Sequence, residues 1–143
     1  MKNIVNIHTY YIGIDPGVHT GIALWNSAGG KFEEIKCMPI HKAMTYVRAM
    51  KVQGYDFQVR FEDARKRTWF GDAGREQLQG AGSIKRDCTI WEDFLTDEDI
   101  PFMGIPPKRN RTKLTRDAFD KLTGWRKVTN EHSRDAAMLV FGI

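Results

Sequence analysis

The stretch Tyr10-Tyr11-Ile12-Gly13-Ile14-Asp15-Pro16-Gly17, continued by Val18-His19-Thr20-Gly21-Ile22-Ala23-Leu24-Trp25, decides how the rest of the chain reads. Tyr10 to Ile14 is almost continuously apolar and β-prone, as a strand covered on both faces must be, and the run stops at one carboxylate followed by a turn. Pro16-Gly17 suits the central positions of a type II turn, since proline presets φ and glycine accepts the positive φ that follows. A second apolar segment, Ile22 to Trp25, then folds back as an antiparallel neighbour. Asp15 is thereby presented where a buried strand surfaces. An acid before Pro-Gly is also ordinary turn chemistry, so Asp15 by itself does not separate a structural from a chemical role.

A chain of 143 residues fits one compact domain, residues 1–143, large enough to bury a core without staples. Its longest apolar runs are too short to span a bilayer, and Met1 to Asn6 lacks a signal-peptide hydrophobic region, so the expectation is a soluble cytoplasmic protein without a membrane partner. Cys37 and Cys88 form no Cys-x-x-Cys pair, which argues against a structural zinc site or a disulfide framework. A net charge of +4 is too modest to identify a nucleic-acid binder, but its distribution is uneven. Lys108, Arg109, Arg111, Lys113 and Arg116 share one window without an acid between them, whereas Glu92, Asp93, Asp97, Glu98 and Asp99 crowd another.

After the hairpin, Asn26-Ser27-Ala28-Gly29-Gly30 is a turn signal and Lys31 to Met38 returns as a third strand. From Pro39 the period becomes helical through Ile40, Met44, Val47 and Met50, and Gly54 closes the segment. Phe57-Gln58-Val59-Arg60-Phe61-Glu62 alternates strictly, with Phe57, Val59 and Phe61 on one face and Gln58, Arg60 and Glu62 on the other. A loop rich in charge and aromatics follows, and Asp72 is placed to cap a long helix running to about Leu95. Gly80 and Gly82 inside that helix weaken it, which suggests that another backbone comes close, from a strand or a partner subunit. Pro101 to Ile105 reads as a fifth strand, followed by the basic window, a helix from about Thr112 to Leu122, and a last helix from about Glu131 to Phe141 with Asn130 as its cap. Strands first, then strands alternating with helices, indicate an α/β domain on a mixed sheet whose first three strands are antiparallel.

In the last helix Ala136, Leu139, Val140 and Ile143 form a buried stripe, and its backward extension reaches His132 and Asp135. A carboxylate turned toward a core must be paired or bound to a cation. Arg134 or Arg126 is the local candidate for pairing. Asp15 at the end of the first strand, Glu62 at the end of the fourth, and His132 with Asp135 at the start of the final helix can meet at one edge of the sheet. Carboxylates gathered without interleaved Lys or Arg repel unless divalent ions hold them. Oxygen ligands of this kind suit two Mg²⁺ ions, with Mn²⁺ as a substitute, and such pairs hold the attacking and leaving oxygens in phosphoryl transfer. The residues thus read as a metal-dependent phosphodiesterase.

The same residues carry a resemblance. Gly13-Ile14-Asp15-Pro16-Gly17 with Thr20-Gly21, then Phe61-Glu62, then Gln77-Leu78-Gln79-Gly80-Ala81-Gly82, then His132-Ser133-Arg134-Asp135-Ala136-Ala137, in this order, resemble the RuvC family of Holliday-junction resolvases within the RNase H-like superfamily. The likeness covers most of the chain, and its short length is similar to that of compact phage-encoded relatives. It implies an RNase H-like fold, a five-stranded mixed sheet flanked by helices, a homodimer, and Mg²⁺-dependent nicking of branched DNA, above all the four-way junction. It also implies that Asp15, Glu62, His132 and Asp135 are the catalytic and metal-binding residues, with His132 either a ligand or the acceptor of the water's proton. Asp63, next to Glu62, faces away by alternation and substitutes only if the strand ends early. For DNA phosphates the candidates are Lys108, Arg109, Arg111 and Lys113, then Lys85 and Arg86 on the long helix and Arg65, Lys66 and Arg67 in the loop. Lys113 is placed by the resemblance near the scissile phosphate. Trp69 and Phe70 either stack on bases or pack in the core. A phosphate loop like that of actin-like ATPases and sugar kinases, a less selective nuclease on flaps, forks or RNA-containing duplexes, and a non-catalytic module binding DNA structure are the competing readings.

Overall fold

The computed structural model describes residues 8–67, 75–107 and 113–143. Five strands form one mixed sheet in the order β3-β2-β1-β4-β5, with β1 at Tyr10–Asp15, β2 at His19–Asn26, β3 at Lys31–Pro39, β4 at Phe57–Glu62 and β5 at Phe102–Ile105. The first three strands are antiparallel, and β4 then pairs parallel to β1 and to β5. Parallel pairing requires crossovers. They are supplied by α1, Ile40–Val52, and by α2, Arg75–Asp97, while α3, Arg116–Thr123, and α4, Glu131–Met138, complete the chain.

Alternation along the strands sorts the two cores. Ile12, Ile14, Ile22, Leu24, Phe57, Val59 and Phe61 turn to one face, where they pack with Val47 and Met50 of α1 and Cys88, Trp91 and Leu95 of α2. Tyr11, Ala23 and Trp25 turn to the other, against Phe119 of α3, Ala136 and Ala137 of α4 and Val140 just beyond it. Asp15 lies one residue beyond Ile14 and Glu62 one beyond Phe61, and Ile14 is opposite Phe61 in the parallel register. The two acids therefore stand side by side, on the face that α4 covers.

That helix sits unusually low on the sheet. A Cβ on Gly13 would lie 2.0 Å from the Ala136 carbonyl oxygen, and one on Gly21 would lie 2.0 Å from that of His132. No side chain is tolerated at such a separation, so these two glycines let the backbone of α4 rest directly on β1 and β2. The N-terminus of α4 is fixed by a reciprocal cap, in which the Asn130 side chain accepts from the Ser133 backbone N–H and the Ser133 hydroxyl accepts from that of Asn130.

Several sequence expectations are corrected. Gly17 does not take a positive φ, so the turn after Asp15 is not type II. It is held instead by the Thr20 hydroxyl donating to the Gly17 carbonyl at 2.7 Å and by the Ile40 N–H donating to the Val18 carbonyl. Helix α3 begins at Arg116 rather than near Thr112, because the Thr115 hydroxyl accepts from the Ala118 N–H and stops the helix from extending backwards. Helix α4 ends at Met138, and Ile143 is exposed instead of continuing the buried stripe. A Cβ added to Gly82 would meet no atom within 4 Å, so among the described residues nothing approaches that position. The Asp72 cap and the side chains of Leu78 and Ala81 lie outside the described residues.

The two kinds of glycine should respond oppositely. Gly21→Ala is expected to cost about 2–3 kcal/mol by forcing α4 off the sheet, whereas Gly82→Ala should stabilise the monomer by up to about 1 kcal/mol. Urea titrations of both variants check this, and equal effects would contradict the close-packed position of α4.

Candidate active site

The low seat of α4 brings its first turn to the C-terminal end of β1. His132 Nδ1 lies 3.0 Å from Asp15 Oδ2, across 117 residues of sequence. Asp135, one helical turn on, shares that side of α4, since residues three apart on a helix are neighbours. Adjacent strands stand about 4.8 Å apart, which places the Glu62 carboxylate within reach of the same point as that of Asp15. The side chains of Asp15 and Asp135 are 17% and 16% exposed, and that of His132 is 52% exposed, so the imidazole stands at the rim and not in the core its stripe predicted.

The electrostatics reflect the convergence of three acids. Burial raises the Asp15 pKa to about 6; the His132 hydrogen bond opposes the rise, and the nearby charges of Asp135 and Glu62 add to it. Lys113 is interleaved after all, its Nζ 3.8 Å from Asp135 Oδ2 and paired with Glu131. Glu131, then Asp135 and Asp15, hold the Lys113 ammonium above its ordinary pKa. Arg134, offered by the sequence as the partner of Asp135, points elsewhere: its guanidinium donates to the carbonyls of Leu114 and Thr129 and to the Thr129 hydroxyl.

Among the described residues, no three His, Cys, Asp or Glu side chains are already gathered into a metal-holding cage. The donor set nevertheless fits hard divalent ions in its chemistry, because the charges of Asp135 and Glu62 both bear on Asp15, which His132 also touches.

Asp63 is removed from this site. Its carboxylate is buried on the opposite side of β4, accepting from Arg65 Nε at 2.8 Å, Arg65 Nη2 at 2.9 Å and the Arg65 backbone N–H. Arg65 is therefore engaged with Asp63 and with Glu92, and Lys66 donates to the Gly104 carbonyl at 2.9 Å. Arg67 follows the single 3₁₀ turn at Ala64–Lys66. On α2, Arg86 is exposed 3.7 Å from Asp87 and Lys85 is half-buried. Lys108, Arg109, Arg111, Trp69 and Phe70 lie outside the described residues. A cavity of about 430 Å³ lined by His8, Thr9, Tyr11 and Arg60 opens at the far end of β1 from Asp15 and has no part in this cluster. Sequence reading missed Glu131, whose signal was its place in the first turn of α4 beside the candidate ligands.

The raised Asp15 pKa gives a stability prediction. A carboxyl whose folded pKa, about 6, exceeds its ordinary 3.8 leaves the fold unpenalised below pH 3.8 and costs stability as pH rises through 6. In chelator at pH 7.5, Asp15→Asn should therefore be more stable than the parent by on the order of 2–3 kcal/mol, with the gain vanishing near pH 4. Thermal melts at the two pH values test this. A less stable Asn variant at pH 7.5 would mark Asp15 as a structural turn residue.

No family model and no curated protein sequence matches the chain. Among solved structures it is similar to T. thermophilus RuvC in complex with a Holliday junction substrate, with a TM-score of 0.59 and 13% sequence identity over 93% of this chain and 91% of that one. The five-stranded mixed sheet with helices on both faces is thus a RuvC-like fold.

Proposed function

We propose that this chain is a divalent-metal-dependent endonuclease that nicks DNA phosphodiesters at branch points, resolving four-way junctions as a homodimer. The observation that carries the reading is the meeting of His132 with Asp15 at 3.0 Å, in a pocket where Asp135 and Glu62 also bear on Asp15. A turn residue needs no such company. The fold supports the choice of substrate, because the similar RuvC structure holds a Holliday junction.

Asp15, Glu62, His132 and Asp135 would hold two Mg²⁺ ions, or Mn²⁺ in their place, and these would supply charge neutralisation at the phosphate and a more acidic water. Asp15, on which the charges of Glu62 and Asp135 both bear, would be the main holder of the cationic charge, with Glu62 assisting from β4 and Asp135 from α4. His132 turns Nδ1 toward Asp15, which leaves Nε2 to face an ion or to take a proton from water. Lys113, whose Nζ lies 3.8 Å from Asp135, would meet a phosphate oxygen. Lys108, Arg109 and Arg111, with Arg86 and Lys85, supply further phosphate contacts, and Arg65, Lys66 and Arg67 join them where DNA reorganises their present bonds. Trp69 and Phe70 stack on unpaired bases at the branch.

Two cuts on opposed strands require two sites, which a homodimer would supply, and the exposed positions of α2 are our candidates for meeting a second copy. Gly82 is open, and Ile84 and Ile90 are exposed apolar residues on the same helix. Among the described residues no helix is long and apolar enough to cross a membrane.

Labelled four-way, forked and linear DNA incubated with Mg²⁺ or with chelator should give paired symmetric nicks near the junction centre in Mg²⁺ alone. Asp15→Asn should abolish the cuts while retaining junction binding. Equal cutting of forks or flaps would indicate a less selective nuclease, and tight binding without metal-dependent nicking would leave a DNA-structure-binding module.

A further inference from the structure

The first turn of α4 carries two working faces. His132 and Asp135, three residues apart, address Asp15. Glu131 and Arg134, also three apart, address the segment that arrives at the site from the basic window. Arg134 Nε donates to the Leu114 carbonyl at 2.9 Å, which fixes the main chain next to Lys113. Glu131 pairs with the Lys113 ammonium itself, which sits 3.8 Å from Asp135. One helix turn therefore places both the acids and the cation that accompanies them.

We propose that Glu131, with Arg134 behind it, is a positioning residue that holds the Lys113 ammonium at the rim of the acid cluster, where it meets the scissile phosphate. The inference rests on the nuclease reading above. Lys113 and Glu131 are both more than half exposed, with side-chain exposures of 63% and 53%. Exposed ion pairs add little to stability, so fold stability is no reason for this one. Its effect is geometric. A lysine side chain has several rotatable bonds, and without a tether its ammonium would wander through solvent instead of standing beside Asp135. Arg134 fixes the backbone end of that side chain and Glu131 fixes its charged end. A phosphate arriving beside Asp135 would meet a cation already in place, and a small displacement of such a group is expensive in rate.

The test has two independent arms. In the first, single-turnover cleavage of a four-way junction is measured with Mg²⁺ at saturating enzyme. Glu131→Gln should slow the rate constant on the order of tenfold while junction affinity stays within about twofold, and Glu131→Asp should recover part of the rate. Lys113→Ala should be slower still, and adding Glu131→Gln to it should cost nothing more. Unchanged or faster cleavage by Glu131→Gln, or losses that multiply in the double variant, would overturn the proposal. In the second arm, competitive amine labelling read by peptide mass spectrometry needs no activity. Lys113 should be protected in the parent and in Glu131→Asp and become more reactive in Glu131→Gln. Equal labelling in parent and Glu131→Gln would refute the tether even in an active enzyme. A parent that labels as expected yet cuts no DNA would instead overturn the nuclease reading.

Discussion

Two glycines opposite one helix are the constraint on which the rest of this structure depends. The Ala136 and His132 carbonyls lie where Cβ atoms of Gly13 and Gly21 would be, so α4 meets the sheet backbone to backbone. A helix held a side chain's thickness higher would carry His132 and Asp135 away from the end of β1. The capping box at Asn130 and Ser133 sets where α4 begins, and thus which residues of its first turn lie over Asp15. Packing here is what brings His132 to Asp15.

Convergence has an electrostatic cost that the fold only partly offsets. Asp15 is largely withdrawn from solvent and feels two other acids, and its hydrogen bond to His132 does not prevent its pKa from rising to about 6. Lys113 relieves Asp135 from the outside. Such an arrangement is poor as pure structure and sound as a receptor for cations. By contrast, Asp63 is buried with a bidentate guanidinium and is complete as it stands. Neighbouring acids in sequence thus stand in opposite surroundings, separated only by the pleat of β4.

Periodicity made most of the fold legible. Strict alternation from Phe57 to Glu62 fixed both the extent of β4 and the face that Glu62 shares with Asp15. Where side chains rather than periodicity decide, reading failed. The Asp15 turn closes through Thr20 and not through a positive φ at Gly17, and α3 starts late because Thr115 caps it. The stripe of α4 carried the correct rotation for His132 but the wrong depth, since its backbone rests on Gly21 while its imidazole reaches out to the rim. Ion-pair choice was least legible of all: Arg134 lies beside Asp135 in sequence yet bonds to main-chain carbonyls, and Lys113, from a distant loop, takes the place expected of it. Long flexible side chains choose partners from the whole surface, which a linear pattern does not encode.

The central claim is that the meeting point of Asp15, Glu62, His132 and Asp135 binds divalent ions. Anomalous diffraction from crystals soaked in Mn²⁺ tests it most directly. The account predicts a peak coordinated by Asp15 together with Glu62 or Asp135, at oxygen distances of about 2.0–2.6 Å. Mn²⁺ bound only elsewhere, with Asp15 still turned to His132 alone, would contradict it.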